Sequence, residues 1–150
     1  MEREELISRL TESREETLRC FIMDEAQLEL SLSPDKWTVK EILIHLADAE
    51  SVLLERIKRI IAEPKQVLWA FDQDQWAKNL EYESYPLQLA ANQYKACRDV
   101  SIYLCNKYFD QYGNKEFVHS ATGLRTLREE MIKIAEHNLN HLAQIRQILK

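Results

Sequence analysis

The run His137-Asn138-Leu139-Asn140-His141 sets two imidazoles four residues apart. On a helix this spacing puts both side chains on one face, with Cβ atoms ~5–6 Å apart. Two ring nitrogens there can share one ion at bonds of ~2.0–2.1 Å. The face is the apolar one: Leu127, Met131, Ile134, Ile145 and Ile148 form a stripe, and the two histidines fill the gap between Ile134 and Ile145. Imidazoles in an apolar seam cost free energy unless each is paired, and a metal ion pairs both. His45 adds a third ring. It follows Ile42 by three and precedes Ala49 by four, at the core edge of a different helix. Three neutral imidazoles leave coordination positions open, the pattern of a catalytic ion rather than a structural one. The competing reading is three hydrogen-bonded core histidines with no ion, and any one of them taken alone fits it.

Other metal chemistries fit less well. Metalloproteases of the H-E-x-x-H type need a glutamate after the first histidine, and Asn138 stands there. Di-iron bundles need two Glu-x-x-His motifs, whereas Glu41 and His45 are four apart. No C-x-x-C-H haem attachment occurs. Zinc, nickel, copper and iron all accept imidazole, so the donor set alone does not name the metal.

The polar neighbours have ordinary explanations first. Asp48, one turn after His45, reads as an exposed carboxylate or structural partner, with orientation of a histidine as the alternative. Glu41 reads as a helix cap. His119 reads as a loop hydrogen-bonding group, with a proton carrier at the cavity mouth as the alternative. Asn138, Asn140 and Gln144 read as surface groups or supports for the ligands. Cys97 and Cys105 are nucleophile types, but no base lies beside them in the sequence. Trp37, Trp69 and Trp76 read as core or lid packing.

The histidines need helices to position them, and the chain supplies these. It has 150 residues with two glycines and three prolines, and its common residues are good helix formers. The expected architecture is all-α, a four-helix bundle with two longer connections, in one domain over residues 1–150. The first helix is expected over about residues 3–27, on Leu6, Leu10, Leu18 and Phe21. The second opens with a capping box, Thr38 to Glu41, and ends near Ala62, before Pro64. A connection over 63–85 carries Trp69, Phe71 and Trp76 and a short helix around Asp72 to Asn79. Connections this long are often functional covers. The third helix starts at Pro86, a good first helical residue, and fades near Phe109. A second connection holds His119 and Gly123. The fourth helix starts at another capping box, Thr126 to Glu129, and runs nearly to Lys150.

Composition bounds the partners. A net charge of −5 and scattered Lys and Arg give no basic stripe of the kind nucleic-acid domains carry. No apolar run approaches the ~20 residues of a membrane span, and the charged start MEREELISRL lacks a signal-peptide core. Three cysteines without a C-x-x-C pair suit a reducing compartment. The expectation is a cytoplasmic protein with no nucleic acid, no membrane and a small-molecule substrate.

At three places the chain resembles the DinB-like, or YfiT-like, metalloenzymes. These are Trp37-Thr38-Val39-Lys40-Glu41-Ile42-Leu43-Ile44-His45-Leu46-Ala47-Asp48-Ala49-Glu50, the stretch His119-Ser120-Ala121-Thr122-Gly123-Leu124-Arg125-Thr126-Leu127, and His137-Asn138-Leu139-Asn140-His141-Leu142-Ala143-Gln144-Ile145. Each motif is short, but they occur in the family's order and span most of the chain. The resemblance implies a four-helix bundle, often a homodimer, with one divalent ion such as zinc or nickel on His45, His137 and His141. It also implies a low-molecular-weight thiol as a cosubstrate, since relatives include thiol-dependent S-transferases and a mycothiol-dependent isomerase beside hydrolases. The expected function is thus a metal-dependent enzyme, an S-transferase or a hydrolase. The alternative is a non-catalytic bundle that holds a metal or small ligand.

Overall fold

The computed structural model describes residues 1–63 and 65–150. Four long helices form a bundle: α1 (Arg3–Phe21), α3 (Val39–Ala62), α5 (Leu87–Tyr112) and α6 (Leu127–Ile148). Both expected capping boxes are formed. Thr38 Oγ1 accepts from the Glu41 backbone N–H and Thr126 Oγ1 from that of Glu129, while each glutamate accepts from its cap residue's backbone N–H. Two of the otherwise orphaned N–H groups at each end are satisfied this way, so both histidine-bearing helices have a defined start.

The first helix is shorter than its apolar pattern suggests. It stops at Phe21, and Asp24 then caps a four-residue helix α2 (Glu25–Leu28) by accepting from the Gln27 N–H at 2.8 Å. An aspartate in this position favours a new start over continuation. Pro86 stands as N-cap of α5 rather than inside it. That helix runs past Phe109, which is buried, to Tyr112. The short helix in the first connection is present as α4 (Gln73–Asn79), capped by Asp72, and a 3₁₀ turn follows at Tyr82–Ser84. The stop signal assigned to Pro64 lies outside the described residues.

The connections also pair, which the helical reading did not foresee. Strand β1 (Val67–Leu68) lies parallel to β2 (Glu116–His119), and β2 lies antiparallel to β3 (Gly123–Thr126). Gly123 adopts φ 79° at the hairpin corner, where a side chain would be strained. The strands are two to four residues long, too short for the two-residue alternation that marks a strand to stand out. This small sheet joins the two connections and closes one end of an otherwise helical molecule.

The interior has two apolar clusters. One gathers Val39, Ile42, Leu43, Leu46, Tyr82, Tyr94, Leu142 and Ile145; the other gathers Leu6, Leu10, Leu53, Ile57, Phe109, Phe117, Leu127 and Ile134. Between them lies a buried polar layer centred on Arg98. Its Nε and Nη2 donate to Oε1 and Oε2 of Glu50 at 2.7 and 2.9 Å. Nη1 donates to the Leu10 carbonyl and Ser13 Oγ, and Nη2 also to Asn138 Oδ1. Tyr94 donates to the same Oδ1 at 2.5 Å, and Asn138 Nδ2 donates to Thr17. All four long helices meet in this network. Satisfied buried networks select one arrangement over its neighbours, and here the arrangement includes the rotation of α6 at the residue after His137.

Candidate metal centre

His45 on α3 and His137 and His141 on α6 converge. Their ring centroids are 5.0 Å (45 to 137), 4.7 Å (45 to 141) and 4.6 Å (137 to 141) apart. One ligand-type nitrogen from each lies within 4.8 Å of the other two. Nε2 of His45 is 3.0 Å from Nε2 of His137. Two imidazoles bound to one ion at ~2.0–2.1 Å hold their nitrogens ~2.9–3.4 Å apart across ordinary coordination angles, so this pair fits without rearrangement.

The protonation states suit the same use. Burial, reinforced by the other two imidazoles, pulls His45 down to about 3 from its ordinary 6.5. Burial, then His141 and Lys133, pulls His137 to about 3. Burial lowers His141 as well. All three are therefore neutral near pH 7, the form that binds metal. Gln144 settles the tautomer of His141: its Oε1 lies 2.6 Å from Nδ1, so Nδ1 carries the proton and Nε2 keeps its lone pair. His45 lacks such a support, because its Nδ1 is buried with no hydrogen-bond partner among the described residues. Its ring is held by packing instead, 5.1 Å from the Trp37 ring and stacked on Phe71 at 6.2 Å.

These aromatics shield the centre. Phe71 also packs on Trp76 at 4.9 Å, so the first connection lies against His45. Trp69, by contrast, is 77% exposed and covers nothing in the core. Beside His141 opens a cavity of about 280 Å³, lined by Trp37, Ile42, Gln73, Asp74, His141 and Gln144 among others. Asp35 on its rim accepts a hydrogen bond from Ser33. The Asp74 carboxylate, also on this wall, accepts none among the described residues.

Other sequence candidates divide. Glu41 serves the helix cap, as expected. Asp48 is buried rather than exposed and accepts from the Tyr82 hydroxyl at 2.5 Å and from Gln93; it orients no histidine. Asn138 is fully interior rather than on the surface, in the Arg98 network. His119 makes the expected loop bonds: Nδ1 accepts from the Ala121 and Thr122 N–H groups. Burial raises the Cys97 thiol and pushes Cys105 up to about 12, so neither supplies a thiolate nucleophile. Phe71 belongs to the first connection, whose aromatic residues make it an ordered one. Nothing in its local sequence shows that it reaches His45, because that contact depends on how the connection folds back.

Comparison with known proteins supplies independent context. A sequence model described as the DinB superfamily matches residues 3–145. Two proteins of Oceanobacillus iheyensis, each named "Putative metal-dependent hydrolase", are similar. One is 21% identical over 124 residues, covering 83% of this chain and 71% of the relative. The other is 25% identical over 128 residues, covering 85% and 74%. A protein of the same name from Halalkalibacterium halodurans is 21% identical over 127 residues, covering 85% and 74%. Among solved structures, YfiT from Bacillus subtilis is described as a probable metal-dependent hydrolase with an unusual four-helix bundle topology. It superposes with a TM-score of 0.85 at 21% identity, covering 97% of this chain and 85% of its own. That likeness establishes the shared bundle.

Proposed function

The chain belongs to the DinB superfamily, and from that premise we propose that it is a metal-dependent hydrolase of small molecules, holding one zinc or nickel ion on His45, His137 and His141. The observation that carries this reading is the convergence of three ring nitrogens within 4.8 Å. The names of its relatives support the reaction class. A divalent ion at that point supplies Lewis acidity, polarising an electrophilic oxygen and lowering the pKa of a water or thiol.

The chain's own groups account for the rest. Gln144 holds His141 with Nε2 inward. Trp37 and Phe71 flank His45 and keep bulk water from its ring, which strengthens electrostatic interactions there. The cavity beside His141 receives the substrate against the Trp37 indole. Asp74 shares that wall with His141 and accepts no hydrogen bond among the described residues, which makes it the carboxylate available as a proton acceptor for an attacking nucleophile. Burial raises the Cys20 thiol as it does those of Cys97 and Cys105, so any thiol in the reaction comes from solution.

The test starts with elemental analysis of the untagged protein, followed by chelation and return of zinc or nickel. Ester and amide panels are then assayed with and without low-molecular-weight thiols. Metal-dependent hydrolysis that is lost in a folded His141→Ala variant supports the proposal. Products carrying the thiol would instead assign S-transfer. Failure to bind stoichiometric metal would overturn the metal centre, and metal binding without turnover would favour a non-catalytic binding bundle.

A further inference from the structure

The face of α6 that carries the two histidines continues one turn toward the helix start, to Lys133. Residues 133 and 137 are four apart on this helix and so share a face. Lys133 belongs to a cluster built from four elements. Phe117 and His119 of β2 are buried and point inward. Arg125 of β3 pairs with Phe117, and directly opposed residues in a sheet share a face, so its side chain points inward too. Arg56 reaches in from α3, and Glu130 from α6.

The charges in this cluster do not balance. Glu130 is its one buried carboxylate, flanked by both arginines, and the half-exposed Glu129 lies 3.7 Å from Arg125. Oε1 accepts from Arg56 Nη1 at 3.1 Å, and Oε2 lies 3.8 Å from Arg125 Nε. The Lys133 ammonium stands 4.0 Å from Oε1. It donates no hydrogen bond that would satisfy it among the described residues, yet 35% of its side chain reaches solvent. His119 adds no acceptor: Nδ1 already takes two backbone N–H groups, which puts the ring proton on Nε2. The next stretch of backbone links this cluster to the imidazoles. Arg56 Nη2 donates to the Trp69 carbonyl at 2.8 Å, and Phe71, two residues on, stacks against His45.

We propose that Lys133 is the counter-ion for a negatively charged oxygen group, carboxylate or phosphate, on the substrate of the three-imidazole centre. The inference rests on the metal reading above. Three cations around the Glu130 carboxylate and the half-exposed Glu129, beside a dication on three neutral ligands, leave an excess of positive charge on this side of the centre among the described residues. An anionic substrate offsets it, and at a side chain only 35% exposed that attraction exceeds its value in water. Arg56 is committed to Glu130 and the Trp69 carbonyl, and Arg125 lies between Glu129 and Glu130, so both act on the ligand mainly through the field they add. Of the three cations the Lys133 side chain is the most exposed, at 35% against 24% for Arg125 and 5% for Arg56, and its ammonium donates no hydrogen bond among the described residues.

The test uses cobalt(II) as the metal and its visible absorption as the readout. Cobalt-loaded protein is titrated with inorganic phosphate and, separately, with acetate, which distinguishes the two oxygen groups. In the wild type at least one anion produces a saturable spectral change. Lys133→Gln and Lys133→Met weaken it about tenfold or more, while Lys133→Arg stays close to the wild type. Lys95→Gln, an exposed lysine on α5, leaves it unchanged. Two variants guard against one folding poorly. If cobalt does not bind the wild type, the metal reading fails and takes this inference with it. If cobalt binds but neither anion perturbs the spectrum, or the Lys133 variants respond like the wild type, the inference alone is overturned.

Discussion

Nδ1 of His141 lies 2.6 Å from Oε1 of Gln144, three residues further along α6. The contact is local to one helix, yet it decides which nitrogen of His141 is available to the centre. Replacing Gln144 by Ala frees the ring to rotate and to change tautomer. Removing such a support typically costs about 10–100-fold in metal affinity. Calorimetric zinc titration of Gln144→Ala should show that loss with an unchanged helical circular dichroism spectrum.

His45 contributes to the centre at the expense of the fold. Its Nδ1 is buried without a partner among the described residues, and an unsatisfied buried polar atom costs about 1–3 kcal/mol. Metal-free His45→Leu should therefore be as stable as metal-free wild type or more so in urea, while losing metal binding. A clear loss of stability would make His45 a structural residue.

The stability of the metal-free protein should depend on pH with a definite sign. His45 and His137 titrate at about 3 in the folded chain, against an ordinary value of 6.5. Their folded values are depressed, so the unfolded chain takes up these protons first as pH falls. The stabilisation is complete above about 6.5 and is lost progressively as pH drops toward 3. Each histidine contributes a slope of at most about 1.4 kcal/mol per pH unit in that window. Urea midpoints measured from pH 7.5 to 4 in chelator should fall, and the fall should be shallower in the His45→Leu variant.

Breaking the Arg98–Glu50 pair leaves a buried charge uncompensated. Glu50→Ala should cost about 3–5 kcal/mol, and replacing both partners with apolar residues of similar volume should recover much of it. Because Arg98 also holds Asn138, the single variant should weaken zinc binding as well, which calorimetry on the folded fraction would detect.

Asp74 is expected to act on protons and not on the metal. Asp74→Asn should lower hydrolytic turnover by about 10²–10⁴-fold with metal affinity unchanged. Equal turnover in the variant would leave the proton to solvent.

Much of the centre could be read from spacing. His137 and His141 interrupt an apolar stripe whose period is that of a helix, and His45 does the same on α3, so each ring's direction followed from local geometry. Both histidine-bearing helices start at capping boxes that depend on residues three apart. The break after Phe21 was harder to see, because the apolar positions continue across it and only the Asp24 cap marks the restart. The small sheet was harder still. Its parallel pair joins Val67 to Val118, across about fifty residues of intervening chain, and neither strand is long enough to show a pattern of its own.

The sequence by itself determined four amphipathic helices, their starts, and three imidazoles facing inward, because these depend on residues within one or two turns of each other. Only the tertiary structure decided that the rings of His45 and His137 meet at 3.0 Å, that Phe71 stacks on one of them, and that Asp48 and Asn138 are interior. It alone set Lys133 beside a carboxylate already engaged by two arginines. These are contacts between elements far apart in the chain, and their distances follow from how whole helices pack, which no local periodicity encodes.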